Sequence, residues 1–360
     1  MTTEVRISQA SAESNAEVTR VTSAARVLVT GATGFIGYEV ARQLAVAGRR
    51  PRLLVRRPDR GRLLSMPGVE IVYGDLQRPS SLARAVEGID EVIHLAARAT
   101  FERDAKIRPT IVDGTLALFD AARAGGVERF IFASSLLVYG SSPEPITEKT
   151  RPAPAIGYGR VKLEAEQGLR ARGSDALSLG ILRLPHVYGA RSFLFEQLRS
   201  GLIVLPGSGR NTHGHLHVHD AARLLIAAAS AGWSGTSPVA DDYPTCWNDF
   251  FRVLDDHYHR VRMLRIPRSL ALAGAHVLER LADLRRRPTL FAPDTVRGWG
   301  MNLPVAPELV WPELGLSPRY PSVAEGLPAS LDELVSFRWQ HPVVDASGLL
   351  PASADTRRVA

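Results

Sequence analysis

The chain has 360 residues, 45% of them hydrophobic, enough for one large core with a smaller lobe attached or for two modest domains. Its formal charge of +7 comes from arginines spread along the whole length, with lysine only at positions 106, 149 and 162, so no compact basic tract is available to track a nucleic-acid backbone. A single cysteine, Cys246, excludes an internal disulfide and any multi-cysteine metal cluster and fits a reducing, cytoplasmic setting, and no stretch reaches the roughly 20 apolar residues that span a bilayer.

Residues 1–25 are rich in Ser, Thr, Ala and Glu, with charges interrupting every apolar stretch, and read as a disordered tail with no signal peptide. From Arg26 onward, short β-branched runs at 27–30, 52–55, 69–73, 91–95, 129–133 and 178–183 alternate with stretches of helical period at 35–47, 81–87, 114–124 and from about Tyr158. That rhythm predicts an α/β fold, a doubly wound parallel sheet of the Rossmann type over 26–190. Beyond 190, Gly/Pro-punctuated segments and helices near 220–231, 247–257 and 267–284 predict a smaller C-terminal substrate-binding lobe over 191–344, with segments returning to the first domain. Helix 267–284 is expected to be an amphipathic lobe helix, and 345–360 a second disordered tail.

Val27-Leu28-Val29-Thr30 runs directly into Gly31-Ala32-Thr33-Gly34-Phe35-Ile36-Gly37 and then into a helical pattern. A strand that turns into a helix through glycines lets the backbone approach a pyrophosphate, and the helix N-terminus supplies N–H donors. Gly31, Thr33, Gly34, Phe35, Ile36 and Gly37 are therefore candidate cofactor contacts. Where an acidic residue would hold the ribose 2′-hydroxyl of NAD, the second run ends in Val55-Arg56-Arg57-Pro58. Guanidinium groups fork onto a 2′-phosphate, so Arg56 points to NADP, with NAD as the alternative.

Tyr158-Gly159-Arg160-Val161-Lys162 places a phenol and an ammonium one helical turn apart on one face. A neighbouring ammonium is expected to lower the phenol pKa and so fit it for proton exchange. Upstream, the run at 129–133 ends in Ser134-Ser135, at the end of a parallel strand where such sheets bind ligands. A hydroxyl there is able to donate to a carbonyl oxygen, or merely to cap the next turn.

Taken together, these residues resemble the extended short-chain dehydrogenase/reductase superfamily, also called the NAD-dependent epimerase/dehydratase family, and 3β-hydroxysteroid dehydrogenase-like and dihydroflavonol-reductase-like members in particular. The resemblance covers about 26–330 and also rests on Gly74-Asp75-Leu76, His94-Leu95-Ala96-Ala97, Leu182-Arg183-Leu184-Pro185-His186-Val187-Tyr188-Gly189 and His217-Val218-His219-Asp220. It implies that Ser135, Tyr158 and Lys162 are catalytic. It also implies that Asp75 and Leu76 lie at the adenine, that Ala96 lines the cofactor channel, and that Pro185 and Val187 flank the nicotinamide. Family members often pair into homodimers, here through the helices near 102–125 and 158–172.

Within such a family, dehydratases carry an Asp-Glu pair after the active-site hydroxyl, where this chain has Leu136-Leu137. Nucleotide-sugar epimerases hold a diphosphate with an Asn and an Arg at positions occupied here by His186 and His213, although Arg191 and Arg210 lie nearby in sequence. Phe193, Phe195, Trp247, Phe250 and Trp299 suit either a hydrophobic ketone or an ordinary core. The Asn tied to a helix kink and proton relay is replaced by Ile111. The expectation is an NADP(H)-dependent oxidoreductase acting on a small carbonyl compound or its alcohol, with no metal. A nucleotide-sugar epimerase and a non-catalytic NADP-binding regulatory protein are the alternatives.

Overall fold

The computed structural model describes residues 25–338, apart from 62, 63, 65, 99, 174, 175, 199, 200, 259–261, 286–288, 290 and 308. The expected tails, 1–25 and 345–360, lie outside the described residues except for Ala25. Strands β1 (Val27–Thr30), β2 (Arg52–Val55), β3 (Glu70–Tyr73), β4 (Glu91–His94), β5 (Arg129–Ser135) and β6 (Ser178–Leu184) form where the β-branched runs place them. A further strand, β7 (Gly235–Pro238), pairs parallel with β6 at the sheet edge and was not expected. Its sequence, Gly-Thr-Ser-Pro, carries no strand signal, and an edge position tolerates a proline that a central strand would not.

The order of this sheet is β7-β6-β5-β4-β1-β2-β3, and every pairing in it is parallel. Successive side chains of each strand divide between two cores, as the period of two requires. Val27, Val29, Leu53, Ile93 and Ile131 pack on one face with α1 (Phe35–Val46) and, beyond the sixth strand, the helix at Val218–Ser230. Leu28, Leu54, Val92, Phe130 and Phe132 pack on the other with α2 (Gly114–Ala124) and α3 (Gly157–Arg172). The helix at Val218–Ser230 is α4. Because strands to either side of β1 run off in opposite directions, a crevice opens beyond the carboxyl ends of β1 and β4.

Two expected helices differ. The stretch at 81–87 resolves into a 3₁₀ turn, Pro79–Ser81, and a single α turn, Ala83–Val86, because the proline starts a tighter turn than the periodicity alone suggests. Just before α2, Pro109–Asp113 forms a π turn with Ile111 wholly buried, so the local distortion exists without the family asparagine. In the C-terminal part, α5 (Trp247–His257) packs in a core of Tyr188, Phe195, Trp247, Phe250, Phe251 and Leu254 that Trp299 of α7 (Pro293–Trp299) also meets, while α6 (Arg268–Leu284) packs on α7 in a small separate cluster.

Candidate active site

The turn from β1 into α1 has no room for a side chain at Gly31 or Gly37. Gly31 sits at φ +74°, and a Cβ there would stand 2.8 Å from the Ala96 amide nitrogen. A Cβ on Gly37 would stand 2.2 Å from the Gly31 carbonyl oxygen, so any larger residue would push α1 off the strand. Gly34, Thr33, Phe35 and Ile36 form the rim of this turn and the first turn of α1, with Thr33 and Gly34 exposed. The turn is tied to β4 from beneath. Thr30 Oγ1 accepts from the Leu95 and Ala96 amides at 3.2 and 3.1 Å and pairs with His94 Nδ1 at 2.6 Å, while His94 Nε2 pairs with Thr115 Oγ1 at 2.8 Å. Burial pushes the His94 imidazole down to about 3, so it is a neutral tie at physiological pH.

Past β2, Arg57 forks onto Asp59 at 3.2 and 2.8 Å, which commits that guanidinium, and Arg56 stands exposed. Asp75 is half-buried and its Oδ1 accepts from the Gln77 amide at 3.0 Å. Leu76 is buried beneath α2, where a Cβ on Gly114 would meet its own Cβ at 2.8 Å. Ala96, Pro185 and Val187 are half-buried.

The Tyr158–Lys162 helix is brought close by two glycines. A Cβ on Gly157 would lie 2.0 Å from Asp104 Oδ1, and one on Gly159 would lie 1.8 Å from the Leu137 carbonyl oxygen. At Gly159, where the obstacle is backbone, only glycine lets α3 begin against the turn that follows Ser135, whereas at Gly157 the Asp104 side chain would have to move. The Gly157 amide, an orphan donor of the helix start, is accepted by Asp294 at 2.8 Å.

Lys162 is buried; its Nζ donates to the Ala133 carbonyl at 2.7 Å and lies 4.5 Å above the Phe132 ring and 6.0 Å from the Tyr158 ring centre. Burial pulls the ammonium down to about 7, with Glu166 opposing the shift. The expectation that Lys162 renders the phenol more acidic is not met: burial raises the Tyr158 pKa above its ordinary value. Lys162 gives one of its N–H groups to Ala133, and desolvation of a phenolate dominates at Tyr158. Tyr158 is therefore a protonated phenol at neutral pH.

Ser135 and Ser134 play different parts. Ser135 Oγ accepts from the Leu137 amide at 3.2 Å and caps the turn Leu136–Val138, which leaves its own proton for donation. Ser134 Oγ donates to Glu166 Oε1 at 2.5 Å. Glu166 and Arg183, to which the sequence reading assigned no role, form the support behind the lysine. The buried Glu166 carboxylate accepts from Arg183 Nε and Nη2 at 3.1 and 2.7 Å and from Arg170 at 3.1 Å, and Arg183 Nη1 donates to the Tyr139 hydroxyl at 2.6 Å. The signal was present: positions 158, 162 and 166 repeat every four residues along one helix face.

In the lobe, His186 Nδ1 lies 3.0 Å from His215 Nδ1, and His186, His213 and His215 pack among Trp247 and Phe250. Trp299 stacks over Trp247 at 4.2 Å. Burial pushes His186 down to about 3 and His213 to about 4, so both are uncharged at neutral pH. Arg191 lies 3.6 Å over the Tyr38 ring, and Arg210 is exposed. Among the described residues no group of three or more His, Cys, Asp or Glu is arranged to hold a metal ion.

A doubly wound parallel sheet with a glycine turn at its switch point, beside a helix carrying a Tyr/Lys pair, is the architecture of a dinucleotide-binding protein of the Rossmann class. Residues 27–239 match the NAD dependent epimerase/dehydratase family, and the chain belongs to that family of NAD(P)-dependent enzymes. It is 30% identical to a ceramide reductase of Caulobacter vibrioides over 90% of this chain and 96% of that protein. It is 26% identical to a 4-hydroxy-2-methyl-3-oxo-4-farnesyl-3,4-dihydroquinoline-1-oxide ketoreductase of Stigmatella aurantiaca, over 71% of this chain and 80% of that one. An uncharacterized Sinorhizobium fredii protein is 32% identical over 56% of this chain, which spans about half, 53%, of that relative. In fold, the chain superposes on the UDP-glucose 4-epimerase of Thermus thermophilus, solved with NAD, with a TM-score of 0.71 at 22% identity, over 86% of this chain and 99% of that structure.

Proposed function

We propose that the chain is an NADP(H)-dependent carbonyl reductase, or the reverse alcohol dehydrogenase, acting on a lipophilic substrate. The observation that carries this reading is the state of positions 186 and 213. Where the family resemblance assigns polar groups to a sugar-linked diphosphate, this chain has two neutral histidines, the half-buried His186 and the buried His213, packed against Trp247, with Phe250 and Trp299 beside them. A diphosphate needs charge-assisted donors, and an uncharged aromatic cluster supplies none. The full-length relative named for ceramide and the relative named for a farnesylated ketone support the same direction.

The residues fit a dinucleotide. The turn at Gly31 and Gly37, where any Cβ would strike backbone, lets main-chain amides and the α1 N-terminus approach a pyrophosphate. Arg56, exposed past β2, is the guanidinium that reads a 2′-phosphate, Arg57 being held by Asp59. The bound dinucleotide supplies hydride to the carbonyl carbon. Ser135 donates a hydrogen bond to the carbonyl oxygen, and Tyr158, kept protonated by burial, delivers its proton to that oxygen as charge develops. Lys162, anchored on Ala133 and titrating near neutrality, stands one turn away to stabilise the phenolate left behind.

The test is loss of NADPH absorbance with long-chain ketones against nucleotide sugars. Oxidation of NADPH by the ketones is expected; sugar interconversion with no net cofactor loss would overturn the reading. Arg56→Asp is expected to weaken NADPH binding roughly tenfold or more while sparing NADH, as removal of a charge-assisted phosphate contact demands.

A further inference from the structure

Helix α6 presents its apolar residues outward. Only Ala271 and Ala275 are buried, packing with Val296 of α7. Leu270, Val277, Leu281 and Leu284 are 61%, 59%, 41% and 81% exposed, and their spacing of seven, four and three residues sets them on one face, with Leu278 beside them. A run of large exposed hydrophobics along one helix is costly in water and marks a contact surface.

The charges around that face are one-sided. Arg268, His276, Arg280 and Arg285 are exposed, and Arg280 and Arg285 flank the apolar stripe on either side. Of the two acids on the helix, Asp283 is neutralised by Arg103 at 3.1 Å and by Lys106, and Glu279 is half-buried. No helix among the described residues is long and apolar enough to cross a membrane. An apolar stripe between basic flanks is the pattern that lies in the plane of an anionic bilayer.

We infer that α6 seats the protein on the surface of an anionic lipid bilayer, with Leu270, Val277, Leu281 and Leu284 in the acyl boundary and Arg280 and Arg285 on the headgroups. A second copy of the chain is the poorer occupant, because a two-fold contact through this stripe would bring its arginine-bearing rims together. The placement also serves the site. α6 packs on α7, whose Asp294 accepts from the Gly157 amide beside Tyr158 and whose Trp299 stacks on Trp247. Lipid beneath α6 is then one helix layer, roughly 10 Å, from α7. Bilayer docking stands on the α6 surface alone and is read by binding, so it succeeds or fails separately from the carbonyl-reductase reading.

The experiment is flotation of the full chain with vesicles of phosphatidylcholine, alone or mixed with phosphatidylglycerol. Flotation with the mixed vesicles, reversed by high salt, is expected. Paired Val277→Asn and Leu281→Asn substitutions are expected to lower the bound fraction roughly tenfold or more, with the melting temperature unchanged. Paired Arg280→Glu and Arg285→Glu substitutions are expected to remove the preference for the anionic vesicles. Absence of flotation, undiminished flotation of the asparagine variant, or a wild-type dimer that the asparagine pair converts to monomer would each overturn the inference.

Discussion

Behind Lys162, both oxygens of the buried Glu166 carboxylate have donors, from Ser134, Arg170 and Arg183. In the lobe, His213 Nε2, Trp247 Nε1 and both Asp241 carboxyl oxygens are buried with no hydrogen-bond partner among the described residues. The first region is a satisfied network in low dielectric, which holds one geometry stiffly; the second carries the desolvation cost of polar atoms without the return. Burial accordingly pushes the Asp241 carboxyl well above its ordinary range and the histidines His186, His213 and His215 below theirs.

Substitutions sharpen or break that contrast, in falling order of effect. Tyr158→Phe is expected to reduce kcat by roughly 10²–10⁴-fold with cofactor affinity nearly intact, the loss typical of a positioned proton donor; steady-state kinetics with cofactor titration reads both, and an unchanged kcat removes Tyr158 from the chemistry. Glu166→Ala leaves the buried Arg183 guanidinium without its carboxylate and is expected to destabilise the fold by about 3 kcal/mol, measured by chemical denaturation. A change below about 1 kcal/mol would mean that the network is not the stiff element described above.

The pH dependence of stability comes next. Lys162 titrates near 7 in the folded chain and near the ordinary lysine value of 10.5 when unfolded. Below about 7 both states hold the proton, and between there and 10.5 only the unfolded state does, so this group makes stability rise with pH across that window. The slope is at most about 1.4 kcal/mol per pH unit. Lys162→Met is expected to abolish that rise, and melting temperatures across the window measure it. The smallest effect belongs to the lobe: His213→Leu is expected to shift stability by about 1 kcal/mol, since Nε2 has no hydrogen-bond partner among the described residues and the ring loses only its contact with the Met301 and Trp299 backbone. A large loss there would reveal a partner and erase the contrast with Glu166.

Much of the sheet was legible because its strands are buried on both faces and read as β-branched runs, so β1 to β6 form where those runs lie. β7 was not, since Gly-Thr-Ser-Pro becomes a strand only when β6 offers an unpaired edge. The glycine turn and the Tyr/Lys spacing were equally visible, each being a local pattern of a few residues with one steric or chemical purpose. Glu166 lay one turn beyond Lys162 yet went unassigned, because its meaning depends on Arg183, which sits seventeen residues away on another strand.

By itself, the sequence determined the alternation of strand and helix, the phosphate-approaching turn and the candidate proton donor, because local sterics and periodicity act over neighbouring residues. Tertiary packing alone decided the sign of the Tyr158 shift, the neutrality of His186 and His213 and the outward face of α6. Each of those depends on which distant groups exclude water or supply a charge, and desolvation is a property of the assembled surroundings.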